Sequence, residues 1–193
     1  KTDKKGVYQG SVLGAESRSR LNKFIVQQDV SPSEFRKAWL CSYEAVAKNL
    51  RQKGFEGAFS LDCYLFWDKT KGRKTLSLRP LVEVNPRVTM GRISLEIEKL
   101  MHRRSTGVFV VVNRRQMREM GFLNYGEMEE FFDLQTKSVT DENGKLKSGL
   151  LPLSDAVSVE EFYAFALVGH TPEDVVSGLP WLRAVFPEYL WFT

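Results

Sequence analysis

The sequence of residues 81 to 87 is Leu-Val-Glu-Val-Asn-Pro-Arg, in which apolar and polar side chains alternate up to an Asn-Pro corner. Such alternation is typical of a β-strand with one face towards a core. Residues 57 to 67, Gly-Ala-Phe-Ser-Leu-Asp-Cys-Tyr-Leu-Phe-Trp, are also rich in strand-forming side chains. Between these runs, Asp-Lys-Thr-Lys-Gly-Arg-Lys at residues 68 to 74 has the glycine and charges of an exposed turn. The sequence therefore predicts a β-hairpin of residues 57–67 and 75–84.

The alternation also predicts which side chains share a face of this hairpin. Successive side chains of a strand point to opposite faces, so residues two apart lie together. One face of the first strand has Ser60, Asp62 and Tyr64, and the corresponding face of the second has Ser77, Arg79, Glu83 and Asn85. Asp62 stands within an otherwise apolar strand, and an uncompensated buried carboxylate is costly. We therefore expect Asp62, Glu83 and Asn85 to share one polar face.

The rest of the chain predicts an α+β fold, a mostly antiparallel β-sheet covered by helices, in a single domain of residues 1 to 193. Ser-Pro-Ser-Glu at residues 31 to 34 predicts a capping box that begins a long helix ending at Gly54. Further helices are predicted after Gly91, at residues 115–120 and 126–134, and from Pro172. Strands are predicted at residues 7–13, 23–28, 108–112, 150–153 and 161–168, with a loop tip at residues 141–144.

Composition excludes several classes of protein. With 42% hydrophobic and 27% charged residues, the chain is neither disordered nor a disulfide scaffold. Its two cysteines, Cys41 and Cys63, lack the spacing of a zinc site, and both are predicted to be buried thiols. No apolar run approaches the roughly 20 residues that cross a bilayer, and the N-terminal residues do not resemble a signal peptide. We therefore expect a cytoplasmic protein without a membrane partner.

The polar face of the hairpin has the residue types of a magnesium site. Mg²⁺ takes oxygen ligands, usually from one or two carboxylates together with nucleotide phosphates. Glu83 and Asn85 place a carboxylate and an amide oxygen side by side, and Asp62 on the neighbouring strand adds a second carboxylate. The alternative interpretation is an isolated polar residue in one strand and an ordinary Asn-Pro turn after the other. The combination of all three residues favours a functional site.

These residues resemble the ATP-grasp superfamily, whose members have Gly-x-x-x-x-Asp on one strand and Glu-x-Asn-x-Arg at the end of the next. Here the corresponding runs are Gly57 to Asp62 and Glu83 to Arg87, and the resemblance covers roughly residues 33 to 101. It implies the C-terminal, metal-binding lobe of that fold. By this resemblance Asp62, Glu83 and Asn85 would bind Mg²⁺ or Mn²⁺, and Arg87 would be catalytic, contacting the transferred phosphoryl group. Thr89 and Gly91 would lie in a loop that contacts ATP or substrate.

The resemblance also implies an activity. The parent protein would be an ATP-dependent ligase that converts a small carboxylate to an acyl phosphate and then joins it to an amine or a thiol. The lysine and hinge that grip the nucleotide in that family are not found in this sequence, so we expect a missing N-terminal lobe and an isolated chain that is inactive. The residues after about 107 would be an addition to the lobe.

Two other functions are open at this stage. One is a non-catalytic module, in which an ATP-grasp-like scaffold serves for binding or assembly. The other is nucleic-acid binding through the doublets Arg103-Arg104 and Arg114-Arg115, in a chain of formal charge +4. No aromatic residues interleave with these doublets, so the pattern does not favour a nucleic-acid surface.

Overall fold

The structure is a computed structural model that describes residues 8–69, 72 and 74–176, with the backbone alone for residues 15–20 and 176. The described residues fall into two compact units, which divide the chain more finely than the predicted single domain. Unit 1 comprises Lys1–Ser17 and Ser94–Thr193, and unit 2 comprises Arg18–Ile93. The elements in chain order are β1 (Gly10–Leu13), α1 (Ala15–Val26), α2 (Pro32–Gln52), β2 (Ser60–Asp68), β3 (Thr75–Asn85), α3 (Met90–Leu100), β4 (Thr106–Asn113), α4 (Arg114–Glu119), α5 (Tyr125–Gln135), β5 (Val139–Thr140), β6 (Leu146–Pro152), β7 (Phe162–Gly169) and α6 (Pro172–Val176).

Unit 1 is built on a five-stranded sheet in the order β1-β4-β7-β6-β5, with antiparallel pairing between each pair of neighbours. Together with the helices, this sheet confirms the predicted α+β class with a mostly antiparallel sheet. β4 lies inside the sheet, between β1 and β7, so its backbone is paired on both sides. An apolar run such as Thr106–Asn113 suits that position, because both faces of an interior strand can be covered.

The core of unit 1 joins one face of the sheet to the helices that follow β4. On that face Val108, Val110 and Val112 stand directly opposite Leu167, Phe165 and Tyr163. Helix α5 adds residues spaced three and four apart, as one helical face requires. The buried cluster is completed by Met117, Tyr125, Met128, Phe132, Leu150 and Val175. A capping box between Asn113 and Gln116 begins α4 directly after β4, which brings Met117 over the sheet.

Unit 2 contains most of α1, the long helix α2 and the hairpin of β2 and β3, which pair antiparallel. α2 packs against β3, and the ring of Tyr43 stacks against both Trp39 and Phe59. α2 begins at Pro32 as predicted, but its predicted capping box is wrong. Ser31 makes no side-chain cap, because its hydroxyl is hydrogen-bonded to the hydroxyl of Ser33, 2.7 Å away.

The predicted strand at residues 23–28 is wrong, because residues 23–26 form the last turn of α1 and residues 27–29 a turn. The β-forming run Phe24-Ile25-Val26 is short, and the residues before it are compatible with a helix, so the helix extends through it. The other predicted helices are confirmed, as are the hairpin and the strands around residues 110, 151 and 165. The predicted strand at residues 7–13 is confirmed from Gly10, and residue 7 lies outside the described residues. Within the described part of the chain, no helix has both the length and the apolar character to span a membrane.

Candidate functional site

The candidate site lies where the hairpin of unit 2 ends. In the β2–β3 pairing, Asp62 stands directly opposite Glu83, and Ser60 directly opposite Asn85. Directly opposed residues of antiparallel strands point to the same face, with their β-carbons about 5 Å apart. The prediction that Asp62, Glu83 and Asn85 share a face is therefore confirmed by the register.

The hairpin is irregular immediately beyond this group. Between the pairs Asp62–Glu83 and Tyr64–Arg79, β2 has only Cys63, whereas β3 has the three residues 80 to 82. Pro80 lacks an N–H group, so it belongs where the hydrogen-bond ladder is interrupted. β3 therefore has two residues more than β2 in this stretch. Because two is an even number, side chains on either side of the irregularity keep the same face. Tyr64 and Arg79 therefore lie on the same face as Asp62 and Glu83.

A short chain of hydrogen bonds links three of the predicted site residues. The Asn85 amide nitrogen Nδ2 donates to Asp62 Oδ2 at 3.3 Å, and Arg87 Nη2 donates to Asn85 Oδ1 at 3.4 Å. The backbone N–H of Arg87 also donates to the Asn85 carbonyl at 2.9 Å. This tight corner follows from Pro86, which stops the strand and turns the chain back. Asn85 itself is buried, with 9% of its surface exposed, so its amide has a well-defined position.

Asp62, Glu83 and Arg87 are all exposed to solvent. The expectation that Asp62 is a buried carboxylate is wrong, because the face on which it lies is open. Hydration keeps an exposed carboxylate charged at little cost and leaves it accessible to a ligand. Among the described residues, the side chain of Glu83 has no hydrogen bond or ion pair. The open face thus presents two accessible carboxylates beside a fixed amide.

The donor set fits a hard divalent cation. Asp62, Glu83 and Asn85 offer oxygen atoms only, which Mg²⁺ and Mn²⁺ prefer to nitrogen or sulfur. The described residues contain no group of three or more His, Cys, Asp or Glu side chains that could hold a metal. A third protein ligand beside the two carboxylates would therefore be the amide oxygen of Asn85. That oxygen faces Arg87 and the amide nitrogen faces Asp62, so ligation requires the amide to turn over.

The other two predicted residues, Thr89 and Gly91, lie at the start of α3. Thr89 is half-buried just before α3, where its carbonyl accepts the hydrogen bond of Ile93 N–H at 3.1 Å. Gly91 is exposed in the first turn of α3, and the nearest atom to a β-carbon built on it is Thr89 Oγ1, at 3.8 Å. Neither Thr89 nor Gly91 makes a described hydrogen bond to the candidate metal ligands. Their contact with ATP or substrate stays a prediction.

Both cysteines differ from expectation. Cys41 and Cys63 are free and exposed, so the predicted buried thiols are wrong. Cys63 points to the face opposite Asp62 in the alternation of β2. Partial burial raises the pKa of Cys63, and the nearby negative charge of Asp62 raises it further. A raised pKa lowers the thiolate fraction, so Cys63 is not suited to act as a nucleophile at neutral pH.

The arginine doublets lie in unit 1, in two different settings. Arg103 and Arg104 are exposed in the turn before β4, whereas Arg114 and Arg115 begin α4. Arg115 forms an ion pair with Glu119 at 2.7 Å, so part of that positive charge is locally balanced. Neither doublet is close in sequence to the hairpin residues. No family model, curated protein or solved structure matches this chain.

Proposed function

We propose that this chain is the metal-binding part of an ATP-dependent ligase that activates a small carboxylate as an acyl phosphate, for joining to an amine or a thiol. The observation that carries the proposal is the cross-strand pair Asp62–Glu83 on an open face, with Asn85 hydrogen-bonded beside it. Carboxylates held this close without a cation repel each other, which a divalent ion would relieve. The resemblance to the ATP-grasp pattern supports the same interpretation.

In this proposal Asp62, Glu83 and Asn85 hold Mg²⁺ or Mn²⁺. The ion would neutralise negative charge on the ATP phosphates during phosphoryl transfer. Asp62 and Glu83 contribute the charge, and Asn85 contributes its amide oxygen once the amide has turned over. The pairing of the two strands holds Asp62 opposite Glu83, so the main rearrangement on metal binding is the turning over of the Asn85 amide.

Arg87 has a separate role, to bind the transferred phosphoryl group. Its planar guanidinium stays charged and can hold two phosphate oxygens at once. In the structure this group donates to Asn85 Oδ1 instead. If Asn85 Oδ1 bound a cation, the guanidinium would be repelled from that oxygen, because two positive charges would then share one acceptor. Metal binding would therefore release Arg87 towards the phosphates.

A titration of the 193-residue chain with Mn²⁺, followed by electron paramagnetic resonance, tests the metal site. We expect Asp62→Asn, Glu83→Gln and Asn85→Ala each to weaken Mn²⁺ binding by about tenfold or more, the loss expected when a ligand worth about 1.4 kcal/mol is removed. Glu34→Gln is the matched control, since Glu34 is an exposed carboxylate on α2 of the same unit. Unchanged Mn²⁺ affinity in Glu83→Gln would refute the metal site.

A second measurement addresses nucleotide. We expect residues 1 to 193 to bind Mg-ATP weakly and to release no phosphate, because the sequence offers no recognisable phosphate-gripping lysine or glycine-rich flap. Calorimetry with Mg-ATP and an assay for released phosphate measure both quantities. Steady release that is lost in Glu83→Gln would mean that the site is complete in this chain. The alternative, a non-catalytic binding or assembly module, predicts no Mn²⁺ binding that depends on Asp62 or Glu83.

A further inference from the structure

The open face of the hairpin has a second group of side chains beyond the proposed metal ligands. Tyr64 stands directly opposite Arg79, and Phe66 directly opposite Ser77. Each step of two residues along a strand advances about 7 Å, so these pairs lie roughly 7 and 14 Å from Asp62. The face thus continues from two carboxylates to a guanidinium and two aromatic rings. We call Tyr64, Phe66 and Arg79 the ring-and-arginine surface.

The two rings of this surface are accessible to solvent. Tyr64 is 48% exposed and Phe66 39% exposed, and their ring centroids are 5.9 Å apart in an edge-to-face arrangement. Aromatic side chains of this size normally contribute buried area to a core or an interface. Two of them side by side on an open face are a place where a flat apolar group can bind.

Arg79 is exposed and makes no side-chain hydrogen bond, ion pair or ring contact with any residue that the structure describes. The other face of the same hairpin provides a comparison. There the ammonium of Lys74 lies 4.4 Å from the ring centroid of Trp67, so that cation already has a partner. A guanidinium without a partner is well suited to a carboxylate, because its fork matches the two carboxylate oxygens.

We propose that the ring-and-arginine surface binds the acid substrate of the ligase, and that this acid carries a planar ring close to its carboxylate. The inference rests on the proposed function, because it takes the carboxylate to be the group that is activated beside Asp62 and Glu83. Arg79 binds the carboxylate, and the ring of the acid packs on Tyr64 and Phe66. The spacing of about 7 Å allows the extended Arg79 side chain to hold the acid next to the metal site.

Charge complementarity favours an acid over the adenine of ATP as the occupant. Adenine is a planar ring too, but in ATP the ribose separates it from the phosphates. Tyr64 and Arg79 stand directly opposite each other, so a ring and an anion bound there must lie close together in the ligand. The neighbouring Asp62 and Glu83 repel a free carboxylate, so a divalent cation between them should strengthen acid binding. Metal-dependent affinity for a ring-bearing acid is therefore the distinctive property of this surface.

Nuclear magnetic resonance of the isotope-labelled 193-residue chain tests the proposal, with phenylacetate as the probe in the presence and absence of Mg²⁺. We expect phenylacetate to shift the signals of Tyr64, Phe66 and Arg79, with a lower apparent Kd when Mg²⁺ is present. Cyclohexylacetate, which has the same charge but a puckered ring, should bind less tightly. Adenosine should not shift these signals.

Variants of Arg79 test the contribution of its charge and of its forked guanidinium. Arg79→Gln should weaken phenylacetate binding by about tenfold or more, since a charge-assisted hydrogen bond contributes about 1.5 to 3 kcal/mol. Arg79→Lys, which keeps the charge and loses the fork, should be intermediate. Lys74→Gln is the matched control, because it removes an exposed cation from the other face of the hairpin, and it should leave binding unchanged.

Three results would overturn the proposal: no shift with phenylacetate, equal affinity in Arg79→Gln and the natural chain, or adenosine binding in place of the acid. Broadening of the Asp62 and Glu83 signals by Mn²⁺ in the same sample tests the proposed function independently. If Mn²⁺ binds and phenylacetate does not, the substrate inference fails while the proposed function stands. If phenylacetate binds through Arg79 and Mn²⁺ does not, the acid-binding surface stands and the ligase function fails.

Discussion

β4 and β2 are strands of almost equal length and similar apolar character, yet their surroundings differ completely. In β4, Val108, Phe109 and Val110 are each at most 2% exposed, whereas the described residues of β2 include none that is buried. The difference comes from position. β4 has a neighbouring strand on each side within a five-stranded sheet, and β2 has a single partner in a hairpin.

This comparison separates the part of the molecule that has a buried core from the part to which we assign the proposed metal site. Of the described residues between 18 and 93, only Ile25, Leu76 and Asn85 are buried. A two-stranded hairpin is marginally stable by itself, and here its support is the packing of α2 on β3. Its open face is correspondingly free for ligands. Unit 1, with a continuous cluster of twelve buried side chains, has the properties of a structural core.

The largest effect is expected from the same substitution made in each strand. Phe109→Ala in β4 should lower the free energy of unfolding by about 3 to 5 kcal/mol, because it removes a ring that is only 1% exposed and leaves a cavity. Phe66→Ala in β2 should cost less than about 1 kcal/mol, because that ring is already 39% exposed. Urea unfolding followed by circular dichroism measures both. Equal costs would show that the open face of the hairpin is in fact covered.

A smaller effect is expected from a pair of glycines, one in each unit. A β-carbon on Gly107 in β4 would lie 2.6 Å from the carbonyl oxygen of Leu167, so the β4–β7 backbone would have to shift. Gly107→Ala should therefore cost about 1 to 3 kcal/mol, as overpacking does. On Gly91 in α3 the nearest atom is 3.8 Å away, so Gly91→Ala should raise stability by up to about 1 kcal/mol. Thermal unfolding of both variants checks these signs. If Gly107→Ala raised stability instead, β4 and β7 would be able to move apart at this position without a cost in free energy.

The smallest effect concerns pH and the core of unit 1. Burial raises the pKa of Tyr163 far above its usual value, and the hydrogen bond to Glu129 raises it further. The neutral phenol is therefore favoured by folding, so its contribution is complete below the unfolded pKa of about 10 and is lost as pH rises above it. Stability should fall in alkaline solution, and Tyr163→Phe should make that fall shallower.

Urea unfolding at a series of alkaline pH values measures this dependence. At neutral pH Tyr163→Phe should cost only about 1 kcal/mol, the net contribution of one hydrogen bond. Burial also raises the pKa of Tyr125 and Tyr8, so some of the alkaline loss should persist in the variant. An identical pH profile for Tyr163→Phe and the natural chain would contradict the burial of this phenol.

The comparison also shows which parts of the fold could be predicted locally. The hairpin and α2 were predictable because periods of 2 and 3.6 residues are properties of a single segment. The strand expected at residues 23–28 was wrong because three β-forming residues are too few to override the helix that precedes them. The bulge at residues 80 to 82 had a visible sign in Pro80, which cannot donate to a ladder.

The sequence by itself determined that Asp62, Glu83 and Asn85 share one face, because alternation along a strand is set by the backbone. The same alternation also predicts that Phe66 lies on this face with Tyr64 and Arg79. Only the tertiary structure decided that this face is open, that Asp62 and Cys63 are exposed, and that Asn85 links Asp62 to Arg87. Strand order was decided there too, since β1 pairs with a strand about a hundred residues later. The exposure of a residue and the partner of a strand depend on segments that are distant in sequence. The local pattern of a segment does not record which distant segments pack against it.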